Sequence, residues 1–107
     1  MQMKTYDVQP SEKSLNDMEA IYDYISENLL APNAAMNQYN RIADAILSLE
    51  QMPERIKVMN SEPERSLGIR QMSVDNYSVF FIINNETVNI IRVLYSASDI
   101  CKRLFEL

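Results

Sequence analysis

The stretch from residue 67 to residue 104 constrains the fold of this chain more than any other part of it. It contains three β-rich runs, at 68–74, 77–83 and 87–95, with only two or three turn-forming residues between neighbouring runs. Links this short join consecutive antiparallel strands as hairpins. The sequence therefore predicts a three-stranded antiparallel meander.

The middle run of the meander, YSVFFII at 77–83, is apolar at both alternating positions. Successive side chains of a strand point to opposite faces, so a strand with this pattern must be buried on both of them. We expect helices from the first half of the chain to cover one face. A loop, a short C-terminal helix or a partner protein covers the other.

Two amphipathic helices are predicted in the first half of the chain. Ser11 is a good N-cap for the first, and a break at Leu30-Ala31-Pro32 separates it from the second, which stops at Met52-Pro53. Apolar residues recur at the three- and four-residue spacing of a helix face. The two stripes are Leu15, Met18, Tyr22, Ile25 and Leu29, and then Ala35, Tyr39, Ile42, Ile46 and Leu49. We expect helices near 11–29 and 33–52 to form an antiparallel hairpin.

The remaining segments complete an α+β fold. Residues 3–9 form a short strand with Tyr6 and Val8 on one face, and residues 53–66 form an exposed loop. Ser98-Asp99 caps a short final helix that carries Ile100 and Leu104. With strands near 67–74, 77–84 and 87–96, the order is β-α-α-β-β-β plus a C-terminal helix. The whole chain, residues 1–107, is predicted to be a single domain in which an antiparallel sheet packs on the helical hairpin.

Composition excludes several kinds of chemistry. With 10 Lys+Arg, 15 Asp+Glu and a pI near 4.6, the chain needs a local basic patch to bind nucleic acid through phosphates. It has no His, one Cys and one Gly. We therefore expect no metal site, no Gly-rich phosphate loop and no cofactor, and we expect Cys101 to be a buried apolar residue. No apolar run spans a bilayer and no secretory signal is present, so we expect a cytoplasmic protein.

Several short motifs occur in a fixed order along the chain. They are Tyr24-Ile25, Pro32 with Ala34-Ala35, Leu49 with Met52-Pro53, RxMxVxNYxVFF at 70–81, and IRVLY at 91–95 followed by Asp99-Ile100. Together with the order of elements, these motifs resemble the RelE/ParE superfamily of toxins from type II toxin–antitoxin systems, also called plasmid-stabilisation proteins. The resemblance covers nearly the whole chain.

This resemblance implies a growth-inhibiting toxin that a cognate antitoxin neutralises. We expect the antitoxin to cover surface left open by the two helices, as an amphipathic helix or an added strand. Basic residues of this chain are expected to assist that binding electrostatically. Sequence-specific DNA binding by this chain is not expected without the antitoxin.

The resemblance also indicates four candidate site residues, which are Arg70, Tyr77, Arg92 and Tyr95. A structural interpretation is equally open, in which Asn76 takes positive φ in the turn, Tyr77 packs in the core and the arginines form ion pairs. The expected ion-pair partners are Asp7, Asp75 and Asp99. Two interpretations are open for the other basic residues, which either add positive charge to a site or form a solvated surface. These residues are Arg55, Lys57, Arg65, Lys102 and Arg103. Met59, Ile69 and Met72 would mark a partner surface if exposed.

Two departures from RNA-cleaving relatives bear on mechanism. Those relatives have an arginine after the hairpin tyrosine and a basic motif at the end of the last strand, where this chain has Ser78 and Ser96-Ala97-Ser98-Asp99. Each lost contact to developing charge raises the barrier by about 2.7–4 kcal/mol, so we expect little or no cleavage of free RNA.

Three functions are therefore open at this point. The first is ParE-like growth inhibition by binding an essential target of the gyrase type. The second is RelE-like, ribosome-dependent cleavage of mRNA, which would make the chain an endoribonuclease. The third is a degenerate binding module without toxicity.

Overall fold

Two helices pack against one face of a four-stranded sheet in the computed structural model, which describes residues 4–106. The predicted α+β fold is confirmed. The strands are β1 (Asp7–Pro10), β2 (Arg70–Val74), β3 (Tyr77–Asn84) and β4 (Thr87–Tyr95). The α-helices are α1 (Glu12–Asp23), α2 (Pro32–Leu47) and α3 (Ile100–Leu104). A π-helical segment at Tyr24–Asn28 continues α1. Two short 3-10 turns follow α2, at Ser48–Glu50 and Pro53–Arg55.

The sheet is mixed, because β1 runs parallel to its neighbour. Its strand order is β1-β4-β3-β2, in which β2, β3 and β4 form the predicted antiparallel meander and β1 pairs with β4, Val8 opposite Val88. Most of the chain lies between β1 and β4, so no hairpin turn joins them. No short sequence pattern therefore indicates that these two strands pair in parallel. Tyr6 and Val8 pack into the helix-side core as predicted, and residue 3 lies outside the described residues.

Burial of β3 on both faces explains its apolar sequence. On the helix side, Val79 and Phe81 join a core that includes Met18 and Ile42. The core on the other side consists of Phe80, Ile69, Leu94 and Leu104. The second cover is therefore supplied by the chain itself, through α3 and the segment that leads into β2.

The inward face of α1 differs from the predicted stripe. Ser14 and Met18 are buried, whereas Leu15 and Leu29 are 53% and 56% exposed. Ser14 tolerates the inward position because its hydroxyl donates a hydrogen bond to the carbonyl of Ser11 at 2.8 Å. Apolar residues lie on more than one face of this helix, so their spacing alone did not determine which face turns towards the sheet.

The second helix follows its predicted stripe except at Tyr39, which is 37% exposed. The buried residues of α2 are Ala35, Ile42 and Ile46, and Leu49 is buried in the 3-10 turn that follows. At 16 residues α2 is shorter than the roughly 20 needed to cross a bilayer. Within residues 4–106, no helix combines the length and the apolar character of a membrane span.

Most residues of the predicted loop at 53–66 are exposed, but the segment packs against the rest of the fold at individual positions. Pro53 and Glu64 are fully buried, and Val58 forms an antiparallel bridge with Arg70. The Glu64 carboxylate accepts a hydrogen bond from the Ser61 hydroxyl at 2.5 Å. The mixed charge of this segment is typical of an exposed loop. Its packing was not predictable from the local sequence, because the contacts that bury it come from residues distant in sequence.

Two local predictions were wrong. Cys101 is exposed, because α3 turns Leu104 rather than Cys101 inwards, and nearby Glu64 raises the pKa of the Cys101 thiol. The positive φ in the β2–β3 turn is at Asp75 (56°) and not at Asn76, since aspartate also tolerates this conformation. The three residues that would mark a partner surface only if exposed are covered by the chain itself. Ile69 and Met72 are buried, and Met59 is half-buried.

The helix–sheet core makes a direct stability prediction. Ile42→Ala is expected to lower the free energy of unfolding by about 2–5 kcal/mol, because it opens a cavity where the side chain is fully buried. Leu47→Ala, at a position 57% exposed on the same helix, is expected to change it by about 0.5 kcal/mol or less. Urea unfolding followed by circular dichroism measures both. Equal losses would contradict this assignment of the buried stripe.

Candidate functional site

A groove lies where the C-terminal end of the first helix meets the paired ends of β3 and β4. We call it the tyrosine groove, because Tyr24, Tyr77 and Tyr95 line it, and it encloses about 740 Å³. Its apolar lining comes from Ile21, Ile25, Leu29, Ala34, Val93 and Leu94. The π-helical segment contributes Tyr24 and Ile25, of which Tyr24 is 52% exposed.

Tyr77 and Tyr95 are brought together by strand register. They are cross-strand partners in the β3–β4 pair, and their ring centroids lie 5.8 Å apart in an edge-to-face arrangement. Burial raises the pKa of Tyr77 above its ordinary value, and Tyr95 and Tyr24 raise it further. Its hydroxyl therefore stays protonated near neutral pH and is poorly suited to act as a general base.

Arg92 is held in a buried ion pair, as the structural interpretation expected, but its partner is not one of the predicted aspartates. Its Nε and Nη2 donate to the two carboxylate oxygens of Asp17, at 2.8 and 2.9 Å, and its Nη1 donates to the carbonyl of Arg103 at 2.7 Å. The side chains of Arg92 and Asp17 are only 8% and 12% exposed. The partner is thus a residue of α1, rather than Asp7, Asp75 or Asp99.

An irregularity in β4 turns Arg92 to the face of the sheet that carries Phe80 and α3. Phe81 is opposite Ile90 but Phe80 is opposite Arg92, so Ile91 is an extra residue in β4. Without it, Arg92 would lie opposite Val79 and point into the helix-side core. A bulge of this kind redirects the side chains that follow it.

Asp17 also completes the hydrogen bonding of the open edge of β4. The pairing with β1 ends at Pro10 opposite Ile90, and the Ser11 hydroxyl donates to the next carbonyl, that of Ile91, at 3.1 Å. The backbone N–H of Val93 donates to the carboxylate of Asp17 at 2.9 Å. A single carboxylate therefore satisfies a strand edge and neutralises a buried guanidinium.

Arg70 lies away from the other candidates and supports the chain before β2. Its Nη1 donates to the carbonyl of Ile56 at 2.6 Å. Arg70 is opposite Phe81, whereas Tyr77 is opposite Val74 at the other end of β2. Four residues along a strand correspond to about 13 Å. The structure thus places Tyr77 and Tyr95 in contact and keeps both arginines in other interactions.

Ser78 is an interior residue, which accounts for one departure from the RNA-cleaving relatives. It is fully buried, and its hydroxyl bonds to Gln71 Nε2 at 3.0 Å and to Ser96 Oγ at 2.7 Å. Ser78 and Ser96 therefore share one hydrogen-bonded chain. These two serines occupy positions where cationic side chains were expected in an RNA-cleaving site.

The other basic residues do not build a cationic site. Arg55 donates to the carbonyls of Gln51 and Met52, and Lys57, Arg65 and Lys102 are exposed. Among the described residues that line the tyrosine groove, Arg103 is the one cation. The groove thus combines an aromatic and apolar lining with the polar residues Asp17, Gln38 and Asn76 and one cation, a composition suited to binding protein side chains.

Sequence reasoning missed two contributors to this region. Tyr24 lies outside the apolar stripe of α1 and was noted only as part of a motif. Asp17 precedes the buried Met18 and is itself largely buried. A carboxylate beside an apolar stripe is a weak sign of an ion pair when its partner lies 75 residues further along the chain. Neither Tyr24 nor Asp17 has a local sequence pattern that distinguishes it from a solvent-exposed residue.

Solved structures define the class of protein to which this fold belongs. The chain is similar to the chromosomal ParDE toxin–antitoxin system from P. aeruginosa, with 22% identity, a TM-score of 0.72, and 86% and 97% of the two chains covered. It is also similar to the RelBE2 toxin–antitoxin complex from Mycobacterium tuberculosis, with 21% identity, a TM-score of 0.61, and coverage of 91% and 98%. A mutant of E. coli toxin RelE in the free state gives 10% identity, a TM-score of 0.61, and coverage of 94% and 90%. The fold is that of the RelE/ParE superfamily.

Sequence comparison then identifies the family. Residues 8–100 match the model described as the ParE toxin of the type II toxin–antitoxin system parDE, and the chain belongs to this family. It is therefore a toxin of a type II toxin–antitoxin system. A comparison with curated proteins gave no match.

The buried ion pair makes a second stability prediction. Arg92→Ala is expected to lower the free energy of unfolding by about 3 kcal/mol, because it leaves the carboxylate of Asp17 buried without its partner. Arg41→Ala is the matched control, since Arg41 also binds an aspartate, Asp75, through two nitrogens but is 65% exposed. Its removal is expected to change stability little. Chemical denaturation measures both, and equal losses would contradict a structural role for Arg92.

Proposed function

We propose that this toxin inhibits growth by binding an essential protein target of the gyrase type through the tyrosine groove. The observation that carries this proposal is the pairing of Arg92 with Asp17, which withdraws the best-placed strand arginine from substrate chemistry. Such targets lie in the cytoplasm, and we propose that the toxin acts there.

Cleavage of RNA requires groups that this region lacks. A transferred phosphoryl centre needs cations beside it and a residue that moves a proton. Near the tyrosine pair, Arg92 is neutralised by Asp17, Ser78 and Ser96 replace cationic residues, and the raised pKa of Tyr77 keeps its proton in place. At about 2.7–4 kcal/mol for each missing contact, the expected rate on free RNA is negligible.

Protein binding, in contrast, suits the groove. Tyrosine and arginine are the residue types that most often dominate the free energy of protein–protein binding, and here Tyr24, Tyr95 and Arg103 line one apolar depression. Tyr95 is 49% exposed, so its ring is available to a partner. The groove therefore has an aromatic anchor, apolar walls and a cation, Arg103, that can orient a ligand.

A cognate antitoxin is the second partner that we propose. The similar structures from P. aeruginosa and M. tuberculosis are toxin–antitoxin systems, and a third similar structure, at 18% identity, is the archaeal RelE–RelB complex from Pyrococcus horikoshii. These likenesses support an antitoxin for this chain. An amphipathic helix or an added strand is the form in which such a segment would bind.

Substitutions of Tyr95 separate binding from catalysis. Tyr95→Ala is expected to weaken binding to the target by about 2 kcal/mol, or roughly 30-fold, because it removes an aromatic anchor. Tyr95→Phe keeps the ring and is expected to retain inhibition. Leu67→Ala, at an exposed position outside the groove, is the control. Growth inhibition at matched protein levels and inhibition of gyrase supercoiling by purified protein are the measurements.

The alternative predicts a different set of results. Ribosome-dependent cleavage would give discrete cuts in translated mRNA by primer extension from cells expressing the toxin. If those cuts vanish in Tyr95→Phe while supercoiling is unaffected by the wild-type protein, the hydroxyl participates in chemistry. The binding mechanism would then be wrong.

A further inference from the structure

An exposed cysteine and a buried carboxylate meet on the side of the sheet opposite the helical hairpin. Cys101 lies in the first turn of α3, and its Sγ is 3.6 Å from Oε1 of Glu64. Glu64 belongs to the segment that leads into β2, and its side chain is fully buried. An accessible thiol therefore contacts a carboxylate that solvent does not reach.

The carboxylate of Glu64 is only partly satisfied. Its Oε1 accepts a hydrogen bond from the hydroxyl of Ser61 at 2.5 Å and faces the thiol of Cys101. Its Oε2 is buried and has no hydrogen-bond partner among residues 4–106. Neither of the two ion pairs in that part of the chain includes Glu64. Because a buried carboxylate oxygen without a donor is costly, this position indicates a group that the chain itself does not supply.

The charge around the thiol indicates what that group is. The negative charge of Glu64 raises the pKa of Cys101, and burial, the hydrogen bond to Glu64 and the charge of Asp99 raise it further. Since the thiolate is the nucleophile, the thiol reacts slowly with anionic reagents near neutral pH. A reagent that carries an ammonium group offsets the charge of Glu64 and brings N–H donors to its carboxylate. A two-carbon linker between sulfur and nitrogen is long enough to fold back over the 3.6 Å from Sγ to Oε1.

We propose that Cys101 is a modification site for low-molecular-weight disulfides that carry an amine, and that the carboxylate of Glu64 binds the ammonium group of the adduct. The thiol of Cys101 attacks one sulfur of the disulfide, so that a new S–S bond forms at Sγ while the S–S bond of the reagent breaks. The leaving thiolate takes up the proton of the thiol, and no further oxidant is needed. In a reducing compartment such an adduct is transient, because it forms when disulfides accumulate and is removed by thiols.

The adduct would lie away from the tyrosine groove. Side chains two residues apart on a helix project about 200° apart, so Cys101 points away from Arg103, which lines the groove. We therefore expect modification to change the stability of α3 and not to block the groove. The inference does not rest on the proposed function.

Selectivity between two disulfides is the first test. Cystamine is cationic and 3,3′-dithiodipropionate is anionic, and mass spectrometry measures the rate at which each forms a mixed disulfide with the purified toxin. Cystamine should react at least about tenfold faster with the wild-type chain, because opposite charges attract at the site. Glu64→Gln should lower this ratio at least about threefold. Glu86→Gln is the matched control, since it changes the net charge equally at an exposed position in the β3–β4 turn, and it should leave the ratio unchanged.

A ratio that Glu64→Gln leaves at the wild-type value would overturn the inference. If this variant does not fold, a second test decides without any substitution at Glu64. Methyl methanethiosulfonate places an uncharged methylthio group on the same sulfur and serves as the comparison adduct. The cystamine-derived adduct should unfold at a temperature at least about 2 °C higher than the methylthio adduct, because its ammonium group pairs with the buried carboxylate. Equal or lower thermal stability would contradict the proposal. Cys101→Ser removes the only cysteine and should show no shift with either reagent.

Discussion

The ion pair between Asp17 and Arg92 connects the parts of this fold that no local pattern joins. Asp17 lies on α1, Arg92 lies on β4 after a bulge, and the guanidinium also bonds to the carbonyl of Arg103 in α3. The same carboxylate accepts the N–H of Val93 at the strand edge left open by β1. Because buried charges must be paired, this contact fixes α1 against the end of β4 and thereby forms one wall of the tyrosine groove.

That arrangement is the basis of the proposal that the toxin binds its target rather than cleaving RNA. The position from which an arginine would approach a substrate is used to hold the fold, and the two tyrosines beside it present aromatic surface, with the hydroxyl of Tyr77 protonated. One helix then serves two surfaces. Residues such as Ile21 face the groove, and residues such as Leu15 face the flank of the hairpin.

Patterns that repeat over short distances were readable in the sequence, and contacts between distant residues were not. The hairpins, the cap at Ser11 and the burial of β3 on both faces follow from turn residues and periodicity. The parallel pairing of β1, the burial of Glu64 and the choice of Asp17 as partner of Arg92 depend on tertiary contacts. For the candidate site, the sequence offered a paired arginine as one interpretation of Arg92, but it indicated neither Asp17 as the partner nor the contact between Tyr77 and Tyr95.

The central claim is that Arg92 acts through the fold and not on the target. The double variant Asp17→Asn with Arg92→Gln tests it most directly, because it removes both charges while the introduced amide retains an oxygen that can accept the N–H of Val93. Growth inhibition should be measured at equal levels of folded protein. We predict that the double variant inhibits growth as the wild-type toxin does. Loss of inhibition in a fully folded double variant would show that the guanidinium contacts the target, and would contradict this account.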